Sequence, residues 1–335
     1  MRTLVIVLVA ALPATAAERL VPFATGLHEP FGMDFLNGQL VLAEFGAHRI
    51  TLLDADGKHT ILAGSGQKGS KDGVGKAAEF NAPHNLAVAP NGMIYIADTS
   101  NHRIRRLNSK TRQVITIAGG DKGFAGDGGP ATDAQFDQAY HVAIDADAKN
   151  LYVCDLGNRR VRKIDLANGT ISTVAGNGKS GVPADGAKAT EAPLVDPRAV
   201  AVDKSGRLWI LERSGHALRV VEDGKVRTVA GTGQKGFEGD GGPALKAKMN
   251  GPKFLWIDPA GDVLIADTEN HCIRKYGVKD GTITRIAGTG AKGKEGVGGA
   301  PTEVQLTQPH GVAIGPDGVM YIADSMNGRV LKTAK

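Results

Sequence analysis

Two histidines directly follow prolines, in Pro83-His84 and Pro309-His310. An imidazole can hold a metal, move a proton near neutral pH or receive an anion's hydrogen bond. Tyr140 offers an acid–base hydroxyl, Arg198 a forked cation for an anionic group, and Lys253 a second cation. Lining the chain up with itself puts these residues at one equivalent position, occupied in order by Phe31, His84, Tyr140, Arg198, Lys253 and His310. A position with a purely architectural duty keeps one bland residue type, and this one does not. Two neighbours also break the pattern. His141 stands where other copies carry Gly32, Asn85, Ala199, Phe254 and Gly311, and Asp34 where most carry alanine.

The elements that must position them recur. Segments such as IYIADTSNHRI, LYVCDLGNRRV and MYIADSMNGRV repeat an alternating apolar strand, an acidic residue, a polar turn and a basic-apolar strand. The acidic anchors Glu44, Asp98, Asp155, Glu212, Asp267 and Asp324 are spaced 54, 57, 57, 55 and 57 residues apart. In the second copy the pattern predicts strands over 85–88, 93–97, 103–107 and 114–118, with Asn91-Gly92 as a hairpin signal. Four antiparallel strands per unit, repeated radially, predict an all-β, six-bladed β-propeller. The last copy ends after its third strand, and Arg19–Gly26 looks like a fourth. The N-terminal strand is therefore expected to complete the last blade and close the ring, which removes two exposed sheet edges.

Five of the inter-copy connections are long and glycine-rich, and four contain G-x-G-x-x-G, as at Gly231, Gly233 and Gly236. A dinucleotide fingerprint needs a strand-to-helix turn in a parallel unit, so its recurrence with the blade period in an all-β chain excludes that reading. Gly-Asp-Gly-Gly around Asp127 and Asp240 offers either a calcium loop or a glycine-dependent turn before a proline-initiated short helix. The sixth connection is short, leaving only Leu27-His28-Glu29 between Gly26 and Pro30. Loops are expected to crowd one rim and leave a gap at blade 1. His48, His102, His216 and His271 fall four residues after an anchor and read as repeat architecture.

Strings such as PHGVAIGPDGVMYIADSMNGRV and GPKFLWIDPAGDVLIADTENHCIRKY resemble NHL repeats over essentially the whole chain after residue 17. The resemblance implies a six-bladed propeller and no single activity. Peptidylglycine amidating lyase is a propeller of this type, with zinc held by three histidines in Pro-His contexts assisted by Tyr and Arg. That likeness implies His84 and His310 as metal ligands, Tyr140 and Arg198 as catalytic residues, and His141 or His28 in place of a missing third Pro-His. Gluconolactonase-like propellers hold a divalent ion with carboxylate and amide ligands, for which Asp34 and Asn85 are the matching residues here.

The N-terminus has a basic start at Arg2, an apolar stretch over 4–12 and small residues at 14–17. It reads as a signal peptide over 1–17 ahead of a propeller over 18–335, in a secreted or periplasmic protein without a membrane span. Lys and Arg number 40 against 35 Asp and Glu, spread without a basic block, which argues against nucleic acid as partner. Cys154 and Cys272 fall in blades that do not touch and are expected as buried free thiols. The expected function is a monomeric scaffold binding a small anion, glycan or protein at the channel mouth, through Phe31, Lys253, His141 and Asp34 beside the histidines. The alternative is a metal-assisted lyase or hydrolase on the same ring, with zinc or calcium as the cofactor.

Overall fold

The computed structural model describes residues 18–335; the signal-peptide reading of 1–17 lies outside them. The chain folds into six antiparallel sheets, and no α-helix occurs among the described residues. Blade 2 is typical: Pro83–Val88 is innermost, followed outward by Met93–Asp98, Arg103–Asn108 and Gln113–Gly119. The inner strands of the other blades are Pro30–Leu36, Ala139–Ile144, Pro197–Val202, Phe254–Ile257 and Gly311–Ile314. Each packs against the inner strands of both neighbours, and the sixth packs against the first. In the last sheet Arg19–Thr25 pairs antiparallel with Arg329–Ala334, so the two ends of the described chain share one blade.

Alternation along the strands explains the packing. Successive side chains point to opposite faces of a sheet, so both faces of each blade are apolar and bury against the next blade. The buried apolar residues fall into six clusters among the described residues, one at every blade interface. Leu20 of the first strand is fully buried in the cluster between blades 5 and 6, with Phe254, Leu264 and Ile322.

The hairpin signals resolve into two kinds of turn. Asn37 and Gly38 both have positive φ (51° and 82°), and Leu36 pairs with Gln39, a two-residue turn. At Asn91-Gly92 only the glycine is left-handed, at φ 82°, and the turn is longer, closed by Ala89 N–H to the Met93 carbonyl. Three blades gain a short fifth strand from the glycine-rich connection, for example Gly242–Pro243. Pro130 and Pro243 precede one-turn 3-10 helices as their N-caps instead of occupying the first helical position.

The acidic anchors are buried and paired. Asp98, Asp155, Glu212 and Asp267 each bind an arginine seven residues on: Arg105, Arg162, Arg219 and Arg274, nearly or wholly inaccessible. Three of these arginines, Arg105, Arg162 and Arg274, also reach into the glycine-rich connections, whereas Arg219 bonds Thr228 of its own blade. Arg162 Nε donates to Asp127 at 2.8 Å and Arg274 Nε to Asp240 at 3.0 Å. Of the two readings of the Gly-Asp-Gly-Gly turns this supports the architectural one, because their carboxylates neutralise buried guanidinium groups and tie the loops to the blades. The repeated histidines tie blade to blade. Nδ1 of His48, His102, His216 and His271 accepts the N–H of Ala82, Gln138, Gly251 and Gln308, at 3.1–3.2 Å.

Candidate ligand site at the channel mouth

Each of the six mouth residues lies at or beside the start of an inner strand, and in blades 2, 3, 5 and 6 it stands two residues beyond the position that a repeated histidine contacts. That upstream position is left-handed in five blades (Glu29, Ala82, Gln138, Gly251 and Gln308). The kink directs the chain into the inner strand and brings the mouth side chains together around the axis.

The mouth is closely packed. Arg198 of blade 4 reaches across blade 3 to blade 2, where its Nη2 donates to His84 Nε2 at 2.6 Å. Its guanidinium carbon lies 3.8 Å from the centre of the Tyr140 ring, a cation–π contact. The Tyr140 and His84 rings meet edge to face with centroids 4.9 Å apart. On the other side Phe31 is sandwiched between His310, at 4.0 Å and an interplanar angle of 5°, and Phe45, at 4.6 Å. The short connection before blade 1 therefore leaves no opening at Phe31, which is buried within this stack. Phe45, which follows an acidic anchor, escaped the sequence reading. Its equivalents Thr99, Thr268 and Ser325 donate hydroxyl bonds to the next blade's backbone, so the departure of Phe45 from that pattern was the available signal.

Charge at the mouth is unevenly balanced. Lys253 is neutralised by Glu269, with Nζ 2.6 Å from Oε1, and Gln308 Nε2 donates to the other oxygen of Glu269 at 2.8 Å. Arg213 pairs with Asp196 at 3.1 Å. Arg198 has no carboxylate partner among the described residues, although it is only 4% exposed, and its Nε is buried without any acceptor. Burial pulls the pKa of its guanidinium down to about 10. Burial, and then the Arg198 charge, hold the His84 pKa well below the usual imidazole value. His84 is therefore neutral, and because Nε2 accepts from Arg198 its proton sits on Nδ1. His310 is also kept neutral by burial, and its Nδ1 donates to the Gln308 carbonyl at 2.8 Å.

These facts test the zinc expectation. No group of three His, Cys, Asp or Glu side chains converges on a common point among the described residues. The His84 nitrogen that would face a metal holds a guanidinium, a cation that repels another cation. His28 is exposed, and only its backbone N–H bonds inward, to Glu44. The arrangement does not fit a three-histidine zinc centre. His141 and Asp34, expected at the mouth, line a cavity further along the channel instead. The physical reason is strand alternation: they stand one and three residues beyond the mouth position, where side chains point into the channel.

The repeat built around this mouth matches the NHL repeat family over residues 80–107, 249–276 and 306–332, the inner three strands of blades 2, 5 and 6 with their approaches. This chain is an NHL-repeat propeller. It is 27% identical over 330 residues to NHL repeat-containing protein 2 of Bos taurus, an alignment covering 89% of this chain and 45% of that protein. The propeller thus spans about half the length of that relative. Among solved structures it is similar to an auxiliary nutrient binding protein from Bacteroides thetaiotaomicron, with TM-score 0.69, 15% identity, and coverage of 95% of this chain and 76% of that one. It is also similar to a streptogramin B lyase structure, with TM-score 0.57, 14% identity, and coverage of 95% and 98%. At such identities the likeness is one of fold, and the residues at the mouth of this NHL propeller carry the functional argument.

Both cysteines are free and buried. No helix among the described residues is long and apolar enough to cross a membrane.

Proposed function

We propose that this propeller is a binding scaffold whose channel mouth takes a small anionic ligand through Arg198, with His84, Tyr140 and His310 around it. The observation that carries the reading is the buried guanidinium without a carboxylate. Removing a charge from water costs several kcal/mol unless it is compensated. Here the compensation is a neutral imidazole and an aromatic face, which leaves the positive charge available to an incoming carboxylate or phosphate group. A bidentate contact with such a group is the geometry that suits arginine. Lys253 stands at the rim with its charge paired to Glu269, so Arg198 carries the unpaired charge. The nutrient-binding neighbour is consistent with a binding role. We further propose that the N-terminal stretch exports the protein, to be tested by sequencing the N-terminus of the protein recovered outside the cytoplasm.

Calorimetric titration with acetate, succinate, citrate and inorganic phosphate tests the mouth. At least one should bind saturably and lose roughly 100-fold in affinity in Arg198→Gln, the scale of removing a buried charge-assisted contact. Absence of saturable binding by all four, or binding indifferent to Arg198→Gln, overturns the reading.

A further inference from the structure

Beyond the mouth ring the channel holds a cavity of about 190 Å³. Its wall is polar on one side and aromatic on the other. Asp34, Asn85 and His141 come from the inner strands of blades 1, 2 and 3, and Phe254 and Trp256 from blade 5. Each polar residue secures the next blade round the ring. Asp34 Oδ2 accepts from Val88 N–H at 2.7 Å, Asn85 Oδ1 from Val142 N–H at 2.8 Å, and His141 Nδ1 from Val200 N–H at 3.5 Å. Blades 4 and 6 place Ala199, Ala201, Gly311 and Ala313 at the equivalent positions and cannot form such latches.

The latches leave bonding capacity unused. With Nδ1 of His141 accepting, the proton of the neutral ring sits on Nε2, and that atom is buried with no partner. The ring is only 4% exposed, and burial drives its pKa down to about 3, so it stays a neutral N–H donor. Asn85 Nδ2 has two hydrogens and no protein acceptor among the described residues. Asp34 accepts one bond on each oxygen, from Phe35 and Val88 N–H, and each oxygen retains a lone pair. A buried polar group without a partner costs free energy and calls for a ligand or ordered water to complete it.

We propose that this cavity binds a small neutral polyhydroxylated ring, a monosaccharide or cyclic polyol. Hydroxyl oxygens accept from His141 Nε2 and Asn85 Nδ2, a hydroxyl hydrogen is donated to Asp34, and an apolar ring face lies against Trp256. Other ligand classes match less of the wall. An anion would meet Asp34, and an ammonium group would satisfy Asp34 but leave both N–H donors unused. A purely apolar ligand would bury all three polar groups unsatisfied. A hydroxylated ring alone supplies acceptors, donors and an apolar face together. The site is separate from the mouth and stands whether or not Arg198 binds an anion.

Tryptophan emission reads this site directly. Trp256 lines the cavity, whereas Trp209 is 1% exposed in the core between blades 4 and 5. The full-length protein is titrated with glucose, galactose, mannose and myo-inositol, each to roughly 50 mM, which reaches weak small-ligand affinities. At least one probe should change the emission saturably, with the contact confirmed by saturation-transfer NMR. Asp34→Asn keeps an acceptor for Val88 N–H and loses the one for Phe35 N–H, so it should fold with a slightly lowered melting curve and weaken binding roughly tenfold. Trp256→Leu should abolish the NMR transfer, and Arg198→Gln should leave binding unchanged. The proposal is overturned if no probe binds saturably to the folded protein. It is equally overturned if binding survives both Asp34→Asn and Trp256→Leu, or is lost in Arg198→Gln but kept in Asp34→Asn.

Discussion

Arg198 and His84 belong to blades 4 and 2, 114 residues apart in sequence, yet Nη2 of one lies 2.6 Å from Nε2 of the other. The bond crosses the inner end of blade 3, where Tyr140 supplies the aromatic face beside the guanidinium. Three consecutive blades thus share one cation, and that cation is paired with no acid among the described residues.

A buried charge held without a counter-ion costs stability, so replacing it should return some. Arg198→Met is expected to raise the unfolding free energy by about 1–3 kcal/mol while abolishing anion binding. His84→Ala should act in the opposite direction, lowering stability by about 1–3 kcal/mol, because it strips the guanidinium of its only side-chain acceptor among the described residues. Urea denaturation of the two variants beside the parent checks both signs.

The four blade-to-blade histidines make the ring sensitive to acid. His48, His102, His216 and His271 accept backbone N–H bonds, which a protonated imidazole cannot do, and burial lowers the pKa of each below 6.5. Below that value the unfolded chain binds protons that the native state refuses, so unfolding becomes easier as pH falls. Their contribution is complete above pH 6.5 and is lost progressively as pH falls from there through the folded values. Denaturation midpoints at pH 8, 6.5 and 5 should decline in that order, and His102→Gln should flatten the decline. A midpoint that is level across this range contradicts the assignment.

Asp127 ties a glycine-rich connection to the buried Arg162. Asp127→Ala should cost about 1–3 kcal/mol through the weakened pairing of that guanidinium. Calcium or a chelator should leave the melting temperature of the parent protein unchanged. Thermal melts of both proteins with and without calcium report the two effects separately.

Burial pushes the thiol pKa of Cys154 and Cys272 upward, away from the reactive thiolate. Neither should react with a thiol-specific disulfide reagent in the native protein at neutral pH, and both should react after denaturation. Rapid native labelling of either would show that its blade opens more readily than the packing implies.

The blades were legible because their determinants are local and repeated. Period-two alternation and the acidic anchors announced each unit, a glycine-bearing hairpin turn marked five of the six, and the count of anchors announced the ring. The mouth residues were legible as departures from that repeat. Their partnerships were not, since Arg198 finds His84 two blades away and Lys253 finds Glu269 in the polar turn of its own blade. Arg105, Arg162, Arg219 and Arg274 went unread because a buried arginine in an alternating strand is indistinguishable from an exposed one until the neighbouring loop is placed.

Sequence alone determined the repeat, the number of blades and the one position in each blade free to vary in chemistry. These follow from side-chain alternation and turn preferences, which act over a few residues. Closure of the ring decided the rest. Wrapping six sheets about one axis set which mouth side chains touch and turned His141 and Asp34 into a channel cavity apart from Arg198. It also converted four unremarkable turn histidines into bonds between blades. Those outcomes depend on distances between residues far apart in the chain, which the packing of blade against blade fixes and no local pattern encodes.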